Sequence, residues 1–543
     1  MAKDYDVIVI GGGITGAGTA RDCAMRGLRT LLIERRDIAD GATGRNHGLL
    51  HSGARYAVKD AESARECIEE NRILRDIASA CVDDTGGLFI TLPEDEDTGY
   101  GLDYQKLFVE SCHKAGISAD IISPSKAKEM EPSVNPSLIG AVVVPDGSVD
   151  PFRLCAANVL DAKLHGADVL QYTEFQDFII DETGSKPKVV GVKVWNTRTS
   201  LQEEYRAQVT VNAAGIWGQM VASKAGINIA MYPAKGALLV FGHRVNNVVI
   251  NRCRKSADGD ILVPGDSVTI IGTTSTKVPF EECDNMFVTR SEVELLLKEG
   301  CSLCPSLAHT RILRAYAGVR PLVASDDDPT GRSISRGIVC LDHEKRDSVQ
   351  GLVTITGGKL MTYRLMAEIA TDMVCSKIQH KASCHTADTP LPGSRKSSHS
   401  KSNARLWDHP DMAQKAAYGR QGLRALDISF AGKDDSTLVC ECEHVSLGEV
   451  RYAVKNLGVS NLGDLRRRTR VGMGTCQGTF CIYKAAAALA EAMNVPHKAE
   501  EFAQDYIKER WKGMRPVAWG DTLREMEFMQ KVYKQGKPYS DEV

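Results

Sequence analysis

The first 34 residues constrain the fold more than any other segment. The run Asp6 to Ile10 is typical of a buried strand, and the spacing G-x-G-x-x-G follows it with Gly11, Gly13 and Gly16. A helix that begins among these glycines presents N–H groups to a pyrophosphate. A second apolar run, Leu28 to Ile33, ends in Glu34, whose carboxylate can accept hydrogen bonds from a ribose diol. This order predicts a doubly wound, dinucleotide-binding α/β domain; glycines kept only for packing are the alternative.

Length and charge exclude several classes of protein. A chain of 543 residues has room for two or three domains, and 43% hydrophobic with 25% charged residues is ordinary for a globular protein. The formal charge of -3 leaves no basic surplus to neutralise phosphates, so no nucleic-acid partner is expected. No apolar stretch approaches the roughly 18 to 20 residues of a membrane helix. We therefore expect a cytoplasmic or peripherally membrane-bound protein.

Two later segments, 209–217 and 353–359, repeat the pattern of a buried strand that ends in small residues. Small residues let the backbone approach a cofactor, and the N-terminus of the helix after residue 359 would stabilise negative charge on a reduced flavin. One cofactor site built from three distant segments implies a doubly wound domain with a long insertion. No second G-x-G-x-x-G provides for a nicotinamide cofactor, so electrons should enter from a reduced substrate.

The predicted domain limits follow from these segments. An oxidoreductase region spans 1–384, with flavin-binding segments at about 1–90, 205–220 and 350–375. The insertion, about 90–330 with breaks, has alternating strand patterns and is expected to form an antiparallel-sheet substrate domain. A linker and helical connector at 385–436 precedes a small helical cysteine domain at 437–490 and a tail at 491–543.

Four of the sixteen cysteines form two pairs, Cys440-x-Cys442 and Cys476-x4-Cys481. Four thiolates are the ligand set of a 2Fe-2S cluster or of a structural zinc ion, but common zinc knuckles favour C-x2-C. Residues 437–490 resemble the small helical domain named after bacterioferritin-associated ferredoxin, which implies a 2Fe-2S cluster and leaves zinc as the less favoured alternative. The other twelve cysteines are expected to be reduced packing residues.

A basic run precedes the second cysteine pair and comprises Arg466, Arg467, Arg468 and Arg470. Such a run usually forms a solvated helix face. Docking of an acidic electron-transfer partner is the second interpretation.

The block at 41–56, Gly-Ala-Thr-Gly-Arg-Asn-His-Gly-Leu-Leu-His-Ser-Gly-Ala-Arg-Tyr, resembles FAD-dependent glycerol-3-phosphate dehydrogenases, specifically the catalytic A subunit of the anaerobic three-subunit enzyme. The resemblance extends along essentially the whole chain, with further blocks at 271–274, 316–322 and 357–364. Asn46, His47 and Met361 fit the anaerobic branch. The resemblance implies oxidation of sn-glycerol 3-phosphate to dihydroxyacetone phosphate. It also implies partner subunits that carry electrons to a membrane quinone, and peripheral attachment to the cytoplasmic face of the inner membrane.

The substrate is a dianion with a secondary alcohol, so its oxidation needs cations for the phosphate and a base for the hydroxyl. The resemblance assigns His51 as the base while a hydride passes to the flavin, with Arg320 as the second catalytic residue. His51 could instead only orient the flavin, and Arg336 could be an ordinary surface arginine. The substrate-binding residues implied are Arg55, Tyr56, Arg320, Arg336 and Lys359. The FAD contacts expected are Gly11, Gly13, Gly16, Glu34, Arg35, Thr43, Ala214, Gly215, Gly358, Lys359 and Leu360.

Two other functions remain open at this point. The first is an amine or amino-acid dehydrogenase subunit of the sarcosine or opine type, whose carboxylate substrate would need only one arginine. The second is a non-catalytic electron-transfer subunit that has kept its FAD. The combination of His51, Arg55, Arg320 and Lys359 argues against both.

Overall fold

The computed structural model describes residues 4–323, 337–394, 411–432 and 434–535. The strands in these ranges are β1 (Asp4–Ile10), β2 (Thr30–Ile33), β3 (Leu49–Leu50), β4 (Val82–Asp83), β5 (Gly87–Thr91), β6 (Asp120–Ile122), β7 (Gly140–Val144), β8 (Gly147–Val149), β9 (Asp168–Leu170), β10 (Thr173–Asp181), β11 (Lys188–Asn196), β12 (Leu201–Asn212), β13 (Met231–Phe241), β14 (Val249–Arg252), β15 (Ile261–Pro264), β16 (Thr269–Gly272), β17 (Thr276–Lys277), β18 (Ile312–Val323), β19 (Ile338–Asp342), β20 (Leu352–Gly357), β21 (Leu438–Cys440) and β22 (Val445–Ser446).

The helices in the same ranges are α1 (Ile14–Met25), α2 (Ala61–Ile77), α3 (Pro93–Glu96), α4 (Leu102–Lys114), α5 (Pro124–Met130), α6 (Pro151–Leu164), α7 (Gly218–Ser223), α8 (Arg290–Leu303), α9 (His343–Arg346), α10 (Tyr363–Lys377), α11 (Met412–Gln421), α12 (Leu447–Asn456), α13 (Leu462–Thr469), α14 (Ile482–Ala492), α15 (Ala499–Met514) and α16 (Gly520–Gln535).

The first sheet has eight strands and a parallel centre. β1 lies between β2 and β12 and runs parallel to both, and β9 and β20 extend the parallel set outwards. Val7 and Val9 are fully buried against α1, which packs in turn on α6 and α10. β10 and β11 join β12 as antiparallel edge strands. The doubly wound α/β fold predicted from the glycine turn is therefore confirmed.

The second sheet has nine strands and is almost entirely antiparallel. Its longest pairing joins β13 to β18 from Met231 opposite Val323 to Phe241 opposite Ile312, and β14 with β5 is its parallel pair. Its strands lie between residues 87 and 323, and β9 to β12 interrupt them in sequence but belong to the first sheet. The antiparallel sheet expected from the alternating patterns is present.

The C-terminal region is a small helical unit that follows a short β21–β22 hairpin. The Ser446 hydroxyl accepts from the N–H of Glu449 to cap α12, and the Asn461 side chain accepts from the N–H of Asp464 to cap α13. The buried faces of α12, α13 and α14 share one core with α15 and α16. α15 also packs on β18, so the tail joins the cluster domain to the second sheet. The predicted connector includes residues 395–410, which lie outside the described ranges.

The basic run on α13 forms an interface between the cluster domain and the first sheet. Arg468 binds both oxygens of buried Asp37 at 2.6 and 3.1 Å, and Arg467 binds Asp37 at 2.8 Å and Asp40 at 2.7 Å. Arg470 contacts Glu443 at 2.9 Å. Burial raises the pKa of Asp37, but the charges of Arg468 and Arg467 outweigh it and hold this pKa below its usual range. Both sequence interpretations of Arg467, Arg468 and Arg470 were therefore wrong, because carboxylates distant in sequence bind these arginines.

Candidate active site

A cavity of about 1290 Å³ lies where the carboxyl ends of β1, β12 and β20 face the second sheet. Ligands of open α/β sheets bind at this edge. Residues of all three segments predicted for the cofactor line the cavity, as do residues of β13 and β18. We call it the flavin cavity.

The glycine turn after β1 leaves no room for side chains. Gly11 has a φ of +109°, and a Cβ there would lie 2.6 Å from the carbonyl oxygen of Ala213. A Cβ on Gly16 would lie 1.9 Å from the carbonyl oxygen of Gly11. Gly13 faces the cavity at the start of α1, where the N–H of Ile14 donates to the Thr43 hydroxyl at 2.9 Å. The turn therefore brings bare backbone and a helix N-terminus to the cavity wall, as a pyrophosphate requires.

Glu34 stands at the end of β2 as predicted, and backbone amides hold it. The N–H groups of Gly12 and Arg36 donate to its two carboxylate oxygens at 2.7 and 2.8 Å. Burial raises the pKa of Glu34, which these two donors partly oppose. Arg35 lies 4.3 Å over the ring of Trp217 and pairs with Asp284. The Trp217 indole nitrogen is buried without a hydrogen-bond partner among the described residues, so the cavity wall holds an unused donor.

The two later segments meet beside the glycine turn. Ala214 and Gly215 follow β12, and Gly358, Lys359 and Leu360 follow β20, which is the parallel neighbour of β12. All five line the flavin cavity. A short 3-10 helix, Leu360–Thr362, leads into α10, so a second helical N-terminus faces this space. The geometry fits a nucleotide with an aromatic ring system at its far end.

Arg320, on β18, occupies the wall contributed by the second sheet. Its guanidinium donates to the carbonyl oxygen of Thr274 at 2.9 Å and also contacts the hydroxyl of Thr273. On the neighbouring strand β13, two residues beyond Ala234, which pairs with Arg320, a Cβ on Gly236 would lie 2.7 Å from the Arg320 Nη2 atom. Gly236 therefore makes room for this guanidinium, and neutral oxygens orient it towards the cavity.

Arg55 is held differently. Its Nη2 atom pairs with fully buried Asp260 at 2.7 Å, and Arg254 binds the same carboxylate at 2.7 Å. Burial raises the pKa of Asp260, but Arg55 and Arg254 lower it below its usual range. The charge of Arg55 is therefore partly neutralised, although its Nη1 atom is buried without a hydrogen-bond partner in the described chain.

His51, Tyr56 and Lys359 line the same end of the flavin cavity. The rings of His51 and Tyr56 are 5.6 Å apart, and the Lys359 ammonium lies 4.7 Å from the centre of the Tyr56 ring. These side chains thus come together with Arg55 and Arg320 in one space. Arg336 lies outside the described residues.

Several cavity residues were not among those predicted. His47 lies with its ring 6.3 Å from that of His51, and Trp217, Gly236, Thr273 and Ser275 also line the cavity. His47 and Thr273 belong to the sequence blocks 41–56 and 271–274, so the resemblance could have indicated them as site residues. No sequence signal indicated Gly236 and Ser275, because their role depends on the pairing of β13 with β18.

The four predicted cysteines come together in the cluster domain. Hydrogen bonds from the Cys481 thiol lower the pKa of Cys440 to about 7 and that of Cys476 to about 5, and Cys476 also contacts Cys442. The N–H groups of Gly472 and Gly478 donate to the sulfurs of Cys440 and Cys476. In the part of the chain that is described, no group of three or more His, Cys, Asp or Glu is placed to hold a metal ion. Converging thiols with backbone N–H donors are the donor set of an iron–sulfur cluster.

The fold and the two sites define a flavin-dependent oxidoreductase with an iron–sulfur domain. The family model "FAD dependent oxidoreductase" matches residues 6–364, and "BFD-like [2Fe-2S] binding domain" matches residues 438–491. FAD and a 2Fe-2S cluster are thus the cofactors, and the zinc alternative is set aside.

Similar proteins specify the class further. The A subunit of the anaerobic glycerol-3-phosphate dehydrogenase from Haemophilus influenzae is 58% identical over 97% of this chain and 92% of its own length. The protein of the same name from Escherichia coli K12 is 57% identical over 98% of this chain and 97% of its own. The FAD-bound glycerol-3-phosphate dehydrogenase of Bacillus halodurans has a similar fold, with a TM-score of 0.71, 24% identity and coverage of 95% and 97%. The chain belongs to the family of anaerobic glycerol-3-phosphate dehydrogenase A subunits, which confirms the resemblance seen in the sequence.

Proposed function

We propose that this chain oxidises sn-glycerol 3-phosphate to dihydroxyacetone phosphate and passes the electrons to a partner. The observation that carries the proposal is that Arg320, Lys359, Arg55 and His51 all line the flavin cavity. Cations suit the phosphate dianion, and an imidazole suits the proton of a secondary hydroxyl. Bound FAD supplies the hydride acceptor, and the 2Fe-2S cluster supplies a one-electron carrier.

Arg320 is the principal phosphate ligand in this proposal. The Thr274 carbonyl and the Thr273 hydroxyl contact its guanidinium, and the planar shape of this group suits a pair of substrate oxygens. Lys359 adds a second charge across the cavity, beside Tyr56. Arg55, already paired with Asp260, contributes mainly through its Nη1 donor.

His51 takes the proton of the C2 hydroxyl as the C2 hydrogen leaves with its electron pair. The C2–O bond then becomes a carbonyl, so a hydride, which carries both electrons, and a proton leave the substrate separately. Tyr56 packs beside the His51 ring and restricts its orientation. Arg336, outside the described residues, keeps the substrate-binding role proposed from the sequence.

We also propose that the electrons leave at the surface beside the cysteines. Phe480 lies between Cys476 and Cys481 and is 63% exposed, and Phe528 on α16 is 47% exposed with its ring 6.2 Å away. Exposed aromatic pairs are favoured at protein interfaces. A partner subunit that docks here would carry electrons towards a membrane quinone and hold this chain at the cytoplasmic face of the membrane. No helix within the described ranges is long and apolar enough to span a bilayer.

The proposed activity is tested by anaerobic titration of the holoenzyme with glycerol 3-phosphate, followed by visible absorbance and EPR. We expect bleaching of the flavin band and a reduced 2Fe-2S signal. Sarcosine and octopine should produce neither change. Bleaching by one of these amines and not by glycerol 3-phosphate would replace this function with the amine dehydrogenase alternative.

The docking surface is tested with Phe480→Asp. Electron transfer to the purified partner subunits should weaken, while reduction of a small dye and the cluster EPR signal remain. Leu102→Asp, at a site that is 40% exposed in the second-sheet region, is the matched control. If Phe480→Asp and Leu102→Asp transferred electrons to the partner at the same rate, the partner would dock at another surface.

A further inference from the structure

A second cavity, of about 1430 Å³, lies between the oxidoreductase region and the cluster domain. We call it the interdomain cavity. Arg45, Asn46 and His47 line both this cavity and the flavin cavity, and Met473 and Gln477 line it next to the cysteine loop. The space therefore lies between the two redox sites and is distinct from the substrate end described above.

Three arginines from different elements line this cavity. They are Arg314 on β18, Arg466 on α13 and Arg510 on α15. The Nε atoms of all three are buried and have no hydrogen-bond partner among the described residues. Unused buried donors on charged groups are costly, so the site is incomplete without an acceptor.

Their charges are close enough to repel one another. Burial and the charge of Arg314 lower the pKa of Arg466 to about 9. Burial likewise lowers the pKa of Arg314, and Arg510 adds to this effect. Glu509 opposes both shifts from a distance, but it is exposed and forms no ion pair with either arginine in the described structure.

The arginines next to Arg466 in sequence are each bound by a carboxylate of the same chain, as expected for arginines that stabilise the fold. Arg467 and Arg468, next in sequence, both bind Asp37, and Arg470 binds Glu443. Arg466 lies among them on α13 but faces the cavity, where the Tyr506 hydroxyl donates to the carbonyl oxygen of Gly472 and no carboxylate binds Arg466 in the described structure. The missing acceptor is therefore expected to come from a ligand.

We propose that the interdomain cavity binds a phosphate-bearing anion between the guanidinium groups of Arg314 and Arg466. Guanidinium forks match the paired oxygens of phosphate, and a charge near -2 balances two unpaired cations. The Arg510 Nη2 atom donates to the carbonyl oxygen of Cys476 at 3.1 Å, so this third cation links the site to the cysteine loop. Tyr316, Phe502 and Tyr506 also line the cavity, so aromatic side chains are available to stack on an ester group.

Calorimetry on the oxidised holoenzyme in chloride buffer tests the proposal. The probes are inorganic phosphate and AMP, with adenosine as the uncharged control. Arg314→Gln and Arg466→Gln should each weaken binding by about 10- to 100-fold, as expected for loss of a charged hydrogen bond. Arg320→Lys, which alters the substrate end, should retain this binding, and Arg290→Gln, at a side chain that is 80% exposed, should behave as the wild type. Tighter AMP than phosphate identifies a phosphate ester as the ligand; equal affinity identifies the free ion.

Thermal unfolding provides a second readout. Without phosphate, Arg466→Gln should be at least as stable as the wild type, because one repelling charge is gone. With phosphate, the wild type should gain more stability than Arg466→Gln, which keeps only the phosphate ligands of the flavin cavity. Unchanged phosphate binding in both glutamine variants would overturn the proposal. A shift of the cluster's reduction potential in Arg466→Gln, with unchanged phosphate binding, would also overturn the proposal. The role of Arg466 would then be to compensate the charge of the cluster.

Discussion

Arg320 in the flavin cavity and the pair Arg467 and Arg468 on α13 have the same chemistry but different surroundings. Arg320 is oriented by a carbonyl and hydroxyls, whereas Arg467 and Arg468 are matched by the buried carboxylates of Asp37 and Asp40. Buried carboxylates bind Arg467 and Arg468 within the structure, whereas Arg320 faces a cavity that a ligand can enter. The comparison teaches that the role of an arginine depends on its partners and on the cavity that it faces, and not on its presence in the sequence.

The largest effect is expected at the cluster. Cys476→Ser with Cys481→Ser should abolish the cluster absorbance and its EPR signal, because two of four ligands are lost. Flavin reduction by glycerol 3-phosphate should persist, since the flavin cavity shares no residue with this pair. Transfer to the partner should fail. Cys301→Ser with Cys304→Ser, another pair of free cysteines, is the control and should leave the cluster intact. Zinc without iron in protein purified anaerobically would contradict this prediction.

Asp37→Asn tests the structural side of the comparison. It leaves Arg468 and Arg467 without their shared carboxylate and should lower the free energy of unfolding by about 3 to 5 kcal/mol, as for a broken buried ion pair. Because the folded pKa of Asp37 is lowered, its stabilisation is present above the unfolded pKa of about 4 and is lost as the pH falls through the folded pKa. The free energy of unfolding of the variant, measured by denaturant titration, should therefore fall less steeply than that of the wild type as the pH is lowered.

The control for that variant is Asp103→Asn, in an exposed pair with Lys106. Surface pairs contribute little, so no measurable change is expected. If both variants had the same stability as the wild type, the α13 arginines would not hold the domains together.

Arg320→Lys tests the ligand side. An ammonium cannot reproduce a planar two-point contact with phosphate. The kcat/KM for glycerol 3-phosphate should therefore fall, by an amount that corresponds to a loss of about 2 to 4 kcal/mol in transition-state binding. FAD content and the unfolding curve should remain normal, which separates this effect from that of Asp37→Asn. Arg290→Lys serves as the exposed control. A wild-type kcat/KM would remove Arg320 from the phosphate site.

His51→Ala should have the smallest effect of the four, acting on rate and not on structure. Loss of a general base should slow flavin reduction by about 100-fold, with substrate affinity close to normal. Stopped-flow absorbance measures both quantities. His497→Ala, at an exposed position, is the control. Normal reduction with weakened binding would make His51 a binding residue instead.

The sequence by itself determined the doubly wound domain, the cofactors and part of the lining of the flavin cavity. These features depend on local patterns: glycines after β1, an acid at the end of β2, and two cysteine pairs at fixed spacing. The caps at Ser446 and Asn461 were equally local, because a capping side chain bonds to a residue three positions later.

Only the tertiary structure decided what each charged residue is for. Arg466 to Arg470 looked like one basic run, yet Asp37, more than 400 residues away in sequence, makes two of them structural, and Arg466 faces a cavity. The partial neutralisation of Arg55 by Asp260 and the space that Gly236 gives to Arg320 likewise depend on contacts between distant strands. Such pairings are set by the packing of two sheets and a helical domain, and no local pattern encodes which carboxylate meets which cation.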